Sequence, residues 1–217
     1  YEKVPLLDCF TAPCKGGCPI HQDIPEYIEL CWKGAYASAL RLITEKNPLP
    51  FITGTICAHN CMTKCMRNYY DEPVNIRATK LVAAEKGYDA YMSKITPPAP
   101  VTDGRKVAVI GGGPTGMSAA YFVGRAGIPV TLFEKADRLG GIVRQVIPAF
   151  RISDEAIDKD VALMEKMGVE VKLNTEAPSG TGLHPHLLRR RRLEGRTAGH
   201  PRQRGAGHRL AARHEGG

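Results

Sequence analysis

Six of the seven cysteines stand in two tight groups, Cys9, Cys14 and Cys18 and then Cys57, Cys61 and Cys65. One buried cysteine is ordinary packing, but six at such spacings imply that the fold must bring thiols from two separate segments together. Zinc is the nearest structural alternative. Its ligands come as four, usually in pairs two to four residues apart, whereas each group here contributes three and Cys9 and Cys14 are five apart. The CxxxC spacing also differs from the radical-chemistry motif, which ends in CxxC. Cys18 is followed by Pro19, and a proline after the last ligand marks bacterial iron–sulfur runs. The six thiols are therefore read as ligands of iron–sulfur clusters. Cys31 falls on an apolar helix face and is read as core. His21 and His59 lie near the thiols and are read as surface or hydrogen-bonding residues.

The second constraint is a glycine loop. Lys106 to Ile110, KVAVI, has the composition of a short buried strand of a parallel sheet. Gly111, Gly113 and Gly116 follow in GGGPTG and satisfy GxGxxG at a strand-to-helix junction. A helix through Ala119, Ala120 and Val123, a strand from Val130 to Phe133 and Glu134 at its end complete the pattern. Glu134 lies twenty-three residues after Gly111, where a carboxylate can accept both ribose hydroxyls of a dinucleotide. FAD and NAD share this fingerprint. The pair Gly140-Gly141 in RLGG just after the carboxylate lets the chain pass close to a longer cofactor, which favours FAD.

Composition sets the surrounding bounds. The 217 residues, 43% hydrophobic, allow one or two ordinary domains. There is no run of eighteen apolar residues and no signal-peptide start in YEKVPLLDCF, so a cytoplasmic, reducing location is expected, where clustered thiols bind metal rather than pair. The chain opens on Tyr1 rather than Met, so residues upstream are expected. The net charge of +8 lies almost entirely at the end: residues 178–217 hold nine arginines, no lysine, two acids, five of the seven histidines and eight glycines. Arg-, His- and Gly-rich text without periodicity reads as out-of-frame translation and as disordered. The rival is a basic arm for nucleic acid centred on Arg189 to Arg192. With charge so placed, no nucleic-acid or membrane partner is expected for the rest.

Between the thiol groups the pattern is helical. Asp23 can cap a helix with Pro25 in its first turn and Ile24, Tyr27, Ile28 and Cys31 on one face; Gly34 ends it. A second helix is expected from Ala35 to about Lys46, stopped by Asn47-Pro48, and another from Val74 to about Met92. The spacing of Cys57, Cys61 and Cys65 by four predicts all three thiols on one helix face. TPPAP, residues 96–100, reads as an extended linker. The organisation expected is a helical iron–sulfur domain at 1–95, a linker at 96–104, a partial Rossmann-like FAD domain at 105–177 and the tail at 178–217. The fold class is thus all-α followed by α/β.

Taken together, residues 1–177 resemble the electron-input module shared by the glutamate synthase small (beta) subunit and the amino-terminal part of dihydropyrimidine dehydrogenase. The resemblance rests on DCFTAPCKGGCPIHQDIPEYI, ITGTICAHNCMTKC, EPVNIR, VAVIGGGPTG, LFEKADRLGGIV and IPAFRIS. PIHQDIPEYI and EKNPLPFITGTIC look closest to the branch assigned to selenate reduction. The resemblance implies an α-helical ferredoxin-like domain with two [4Fe–4S] clusters, packed on an FAD domain into which an NADPH (or NADH) domain is inserted. It assigns Cys9, Cys14 and Cys65 to one cluster and Cys18, Cys57 and Cys61 to the other. The family's first cysteine falls at Leu6, and the residue that completes the second cluster falls at Lys80, which cannot ligate while protonated. For FAD it implies Gly111, Gly112, Gly113, Pro114, Thr115 and Gly116 at the pyrophosphate, Glu134 at the ribose, then Gly140, Gly141, Ile142 and Arg151.

The function expected from this is hydride transfer from NAD(P)H to flavin and single-electron release through the clusters to a redox partner subunit or downstream catalytic domain. The readable chain stops after a third strand, Val169 to Leu173, before the nicotinamide domain would begin, so it is expected to be inactive alone. No acid/base pair or catalytic triad is visible, and no catalytic residue is named. The alternative is a helical partner-binding domain that has kept the fold while losing its cofactors.

Overall fold

The computed structural model describes residues 12–101, 104 and 106–176. Leu6, Cys9 and the arginine-rich tail lie outside the described residues.

The helical half is a series of short helices folded back on one long one. Helix α1 (Pro13–Gly17) is one turn; α2 (Ile24–Trp32) and α3 (Tyr36–Thr44) form a hairpin around Gly34, whose φ of +74° makes the reversal. Asn47 then holds the entry to α4 (Pro50–Ile56), its Oδ1 accepting the Leu49 N–H at 3.2 Å and its Nδ2 donating to Thr53 Oγ1 at 2.6 Å. After α5 (Asn60–Thr63) and a 3-10 turn (Met66–Tyr69), the long α6 runs from Ile76 to Met92, capped by the Asn75 side chain. Its buried stripe is Ile76, Lys80, Ala83, Ala84 and Gly87, a helical repeat of mostly small residues. Smallness is what lets neighbours approach: a Cβ at Gly87 would lie 2.5 Å from the Tyr36 carbonyl oxygen of α3.

The second half is a three-stranded parallel sheet in the order β1-β2-β3, with β1 Val107–Ile110, β2 Val130–Phe133 and β3 Val169–Lys172. Register pairs Val109 with Leu132 and Leu132 with Val171. Helix α7 (Pro114–Arg125) makes the first crossover; α8 (Ile142–Gln145) and α9 (Asp154–Glu165) lie in the second. Ser153 caps α9 by accepting the Ala156 N–H, and Asp154 and Glu155 complement its amino-terminal dipole. Met117, Ala120, Tyr121, Leu132, Ile157, Leu163 and Met164 fill the core.

The two halves share that core, because Leu49 and Ile52 at the start of α4 belong to it. Polar contacts reinforce the join: Tyr88 Oη donates to the Lys159 carbonyl at 3.2 Å, and Arg125 donates to the carbonyls of Thr44 and Glu45 at the end of α3.

The helix expectations at 23–34, 35–46 and 74–92 correspond to α2, α3 and α6 to within two residues at each end. The expectation of one helix face for Cys57, Cys61 and Cys65 is corrected. Cys57 turns to extended backbone (ψ 140°) at the end of α4, and His59 takes a left-handed φ of +47°, so the helix is broken between the first thiol and the second. Asp23 stands at the N-cap of α2, but its carboxylate makes no cap; it bridges Lys15 and Lys46, the latter at 2.7 Å.

Candidate functional site

The glycine loop is built where β1 ends. Gly111 donates its N–H to the Phe133 carbonyl at 2.8 Å and takes a φ of +102° to leave the strand. Gly113 then caps α7 and Pro114 opens it. The tightest contact is at Gly116, where a Cβ would lie 1.8 Å from the Gly111 carbonyl oxygen; only glycine lets the helix sit this close to the loop. Thr115 is exposed in the first turn, and a Cβ at Gly113 would meet nothing within 4 Å. The loop therefore presents a twelve-residue helix amino terminus with open space in front of it, the arrangement that receives a phosphate.

Glu134, at the end of β2, is bonded to this loop. Its Oε2 accepts the Gly112 N–H at 2.6 Å and its Oε1 the Ala136 N–H at 2.9 Å. Each oxygen keeps a further lone pair for a hydroxyl. The second glycine pair closes the other side: Gly140 donates to the Gly112 carbonyl at 2.8 Å, and a Cβ at Gly141 would stand 2.9 Å from Gly113 Cα. The segment is pinned from behind by Arg144, which donates Nε–H to the Leu139 carbonyl at 2.7 Å and pairs with Asp154 at 2.9 Å. Ile142 is exposed at the start of α8. Arg151 is exposed in the turn after Pro148, away from any contact that would fix its guanidinium among the described residues.

The thiols are distributed over four short elements. Cys14 lies in α1 and Cys18 at its end; Cys57 ends α4; Cys61 lies in α5 and Cys65 precedes the 3-10 turn. Packing of α1 on α5, close enough that a Cβ at Gly17 would meet Lys64 Cγ at 2.9 Å, brings the two sequence groups together. All five described thiols of these groups are free and half-buried. Electrostatically, Cys14 faces Cys65 and Cys18, whereas Cys61 faces Cys18 and Cys57. Burial pushes the Cys14 and Cys61 thiols up, so without a cation or metal they stay protonated. Beneath them Tyr27 is buried, and Cys14, Cys18 and Cys61 pack against the core that it helps to form.

Among the described residues no three His, Cys, Asp or Glu side chains are grouped tightly enough for a single metal ion. A cubane is wider than an ion and holds its thiols farther apart. The donor chemistry fits it: free soft thiols, a shielding aromatic floor, and the His59 N–H on Cys57 Sγ at 3.4 Å, the type of donor that tunes cluster potentials. His59 and His21 are engaged elsewhere. His59 Nδ1 lies 3.4 Å from the Arg77 guanidinium and 3.2 Å from the Cys57 carbonyl, and His21 Nδ1 3.3 Å from the Lys15 carbonyl. Cys31 points its thiol at the Thr79 carbonyl, 4.0 Å away.

Two features have no counterpart in the sequence expectations. One is Asp160, fully buried with its carboxylate on the Phe51 and Ile52 N–H groups; the signal was a charge in the Ile157, Leu163, Met164 stripe of α9. The other is a cavity of about 430 Å³ at the far end of α7, lined by Arg41, Thr44, Tyr91, Tyr121 and Arg125 among others, which contains none of the candidate cofactor residues.

Comparison with known proteins finds two matches along the chain. Residues 6–90 match the family model described as dihydropyrimidine dehydrogenase domain II, 4Fe-4S cluster, and residues 109–166 match the NAD(P)-binding Rossmann-like domain. The chain is 50% identical over 193 residues to YgfK of Escherichia coli (strain K12), named as a candidate oxidoreductase, covering 86% of this chain and 19% of that protein. It is 33% identical over 172 residues to the NADPH-Fe(3+) oxidoreductase subunit beta of Geobacter sulfurreducens (78% and 25% covered). With the glutamate synthase [NADPH] small chain of Mycobacterium tuberculosis (strain H37Rv) it shares 34% over 166 residues (76% and 34% covered). It thus spans between a fifth and a third of the length of these relatives.

Proposed function

We propose that this chain, whose helical half matches dihydropyrimidine dehydrogenase domain II and which is similar to a glutamate synthase small chain, is the electron-input module of an NAD(P)H-dependent flavin and iron–sulfur oxidoreductase. The observation that carries the reading is the shared core: the helix that ends in Cys57 also packs its Ile52 into the nucleotide-binding half. A dinucleotide loop and a thiol pocket are thereby fixed relative to each other.

In this reading the dinucleotide is FAD. Gly111, Gly112 and Gly113 with Pro114, Thr115 and Gly116 receive the pyrophosphate, Glu134 the ribose, and Gly140, Gly141 and Ile142 the span beyond, with Arg151 as an exposed counter-charge. Cys9, Cys14 and Cys65 hold one [4Fe–4S] cluster; Cys18, Cys57 and Cys61 hold the other. When bound, these groups supply two-electron acceptance from a nicotinamide and one-electron release. The chain's own part is placement: Glu134 orients the loop through Gly112, and Tyr27 keeps water from the thiols. On this proposal the nicotinamide site and the terminal acceptor lie outside this chain, and a partner subunit or downstream domain takes the electrons. No helix among the described residues is long and apolar enough to cross a membrane, which suits a soluble, cytoplasmic module.

Anaerobic purification and reconstitution tests the proposal. A brown, yellow-tinged chain with about eight iron atoms, as two four-iron clusters require, and one flavin supports it. A chain that stays colourless after reconstitution overturns it in favour of the cofactor-depleted partner-binding domain.

A further inference from the structure

The cavity of about 430 Å³ lies where the two halves meet: α3 forms one wall, the end of α6 and the segment after it the next, and the end of α7 the third. Boundaries of this kind are a usual place for small-ligand sites, and the volume falls within their range. Its floor is uncharged. Thr44 and Tyr121 are each 1% exposed; Thr44 Oγ1 donates to the Arg41 carbonyl at 2.9 Å and lies 2.7 Å from Tyr91 Oη, from which it can then accept. Burial pushes the Tyr121 phenol up to about 12, so it stays a neutral hydroxyl. The rim is positive, with Arg41, Lys94 and Arg125 exposed against one acid, Glu45. Arg125 is committed to the Thr44 and Glu45 carbonyls, whereas no described acid pairs with the Arg41 guanidinium. The carboxyl ends of α3 and α7 add partial negative charge, which leaves a balance suited to a single anionic group.

We infer that this cavity is a binding site for a small carboxylic acid, its carboxylate held by the Arg41 guanidinium at the rim and its apolar body lying against Ile95, Pro98 and Met167. A guanidinium presents parallel N–H donors that match the two oxygens of a carboxylate. Glu45 and the two helix ends disfavour a dianion such as a phosphate monoester. The three apolar side chains line the same cavity, and burying a hydrocarbon or aromatic body against them supplies affinity that a rim charge alone does not. Because α3, the segment after α6 and α7 all contribute, the bound acid ties the helical half to the nucleotide-binding half. The site uses none of the thiols and none of the glycine loop, so it stands whether or not the cofactors bind.

The test is calorimetric titration of the full chain with phenylacetate, phenylacetamide and phenethylamine, which share one body and differ in charge. The expected result is saturable binding of phenylacetate, roughly ten-fold or more tighter than of the amide or the amine, with no competition from inorganic phosphate. Arg41→Met should weaken phenylacetate roughly ten-fold, to the level of the amide, and Glu45→Gln should tighten it. Ser38→Trp, which fills the mouth of the cavity, should abolish binding. These three positions are exposed, so the urea midpoints without probe should stay at the wild-type value, while phenylacetate raises the midpoint of wild type and not that of Ser38→Trp. Equal affinity for the three probes, or wild-type affinity in Arg41→Met, overturns the inference. So does phenylacetate binding that never saturates or that survives Ser38→Trp. If Ser38→Trp does not fold, Thr96→Trp fills the same cavity from the exposed segment after α6, and lost or retained binding is read in the same way.

Discussion

The Asp160 carboxylate, on α9 of the nucleotide-binding half, accepts the Ile52 backbone N–H of α4 at 2.8 Å, and its other oxygen accepts the Phe51 N–H at 3.1 Å. One side chain thus satisfies two of the orphan donors at the start of the helix that ends in Cys57. The carboxylate is fully buried, so water cannot take its place. It is the polar key of the boundary between the thiol pocket and the dinucleotide loop.

Removing the key should loosen both halves. Asp160→Ala leaves two buried N–H groups unpaired, and such groups cost about 1–3 kcal/mol each. The expected loss is roughly 2–4 kcal/mol in urea unfolding, with the thiol pocket and the sheet melting in separate steps. A single transition at the wild-type midpoint would show that the bonds contribute nothing.

The same residue predicts a pH dependence. Burial pushes the Asp160 carboxyl up to about 8, while the Ile52 and Phe51 N–H groups and Lys80 pull it down. In the unfolded chain an aspartate titrates near ~4. Between these values the folded state carries the extra proton, so this contribution is fully present below the unfolded value and is lost as pH rises through the folded one. The unfolding free energy of wild type should fall relative to Asp160→Asn as pH is raised from about 5 to about 8, and the difference should level off above that. A constant difference across the series refutes the assignment.

At the glycine loop the relevant contact is a carbonyl. Gly116→Ala would place a methyl 1.8 Å from the Gly111 oxygen, and α7 must lift from the loop to admit it. Overpacking of this kind costs about 1–3 kcal/mol, and lifting α7 moves the helix amino terminus away from the loop that would receive the pyrophosphate. Flavin affinity in equilibrium titration should drop roughly ten-fold or more, while iron content stays at the wild-type value because the thiols lie elsewhere.

In the helical half, Gly87→Ala tests the crossing of α3 and α6. The added methyl would meet the Tyr36 carbonyl oxygen at 2.5 Å and its carbon at 2.7 Å. Backbone cannot move aside as a side chain can, so a loss of about 1–3 kcal/mol is expected in chemical denaturation. Gly16, whose Cβ would meet nothing within 4 Å, is the control: Gly16→Ala should leave the midpoint in place.

Legibility in the sequence followed the range of the interaction. The β1–loop–α7–β2 unit was readable because each requirement, from the buried strand to Gly116 and Glu134, is met within a few residues of where it is written. The four-residue spacing of Cys57, Cys61 and Cys65 misled because His59 adopts a left-handed backbone, which periodicity does not report. Helices α4 and α9 went unread, although Ser153 before Asp154 and Glu155 is a plain start signal. Asp160 and Lys80 were beyond local reading. The burial of Asp160 is decided by Phe51 and Ile52, more than a hundred residues away along the chain, and that of Lys80 by the packing of α6 on α3 and α4.

The grouping of thiols leads to the sharpest test by substitution. If Cys18, Cys57 and Cys61 serve one cluster while Cys14 and Cys65 serve the other with Cys9, serine replacements should be redundant within a group and additive between groups. Serine is a poor ligand for iron in a soft thiolate site, so Cys61→Ser should remove about half the iron of the reconstituted chain. Adding Cys57→Ser should remove no more, whereas adding Cys14→Ser should remove the remainder. Cys31→Ser is the internal control: that thiol reaches only the Thr79 carbonyl at 4.0 Å, and its loss should leave iron content and the cluster spectrum unchanged. Iron analysis with Mössbauer spectroscopy reads all four variants, and iron loss that is additive within the Cys57 and Cys61 pair would break the assignment of these thiols to a common cluster.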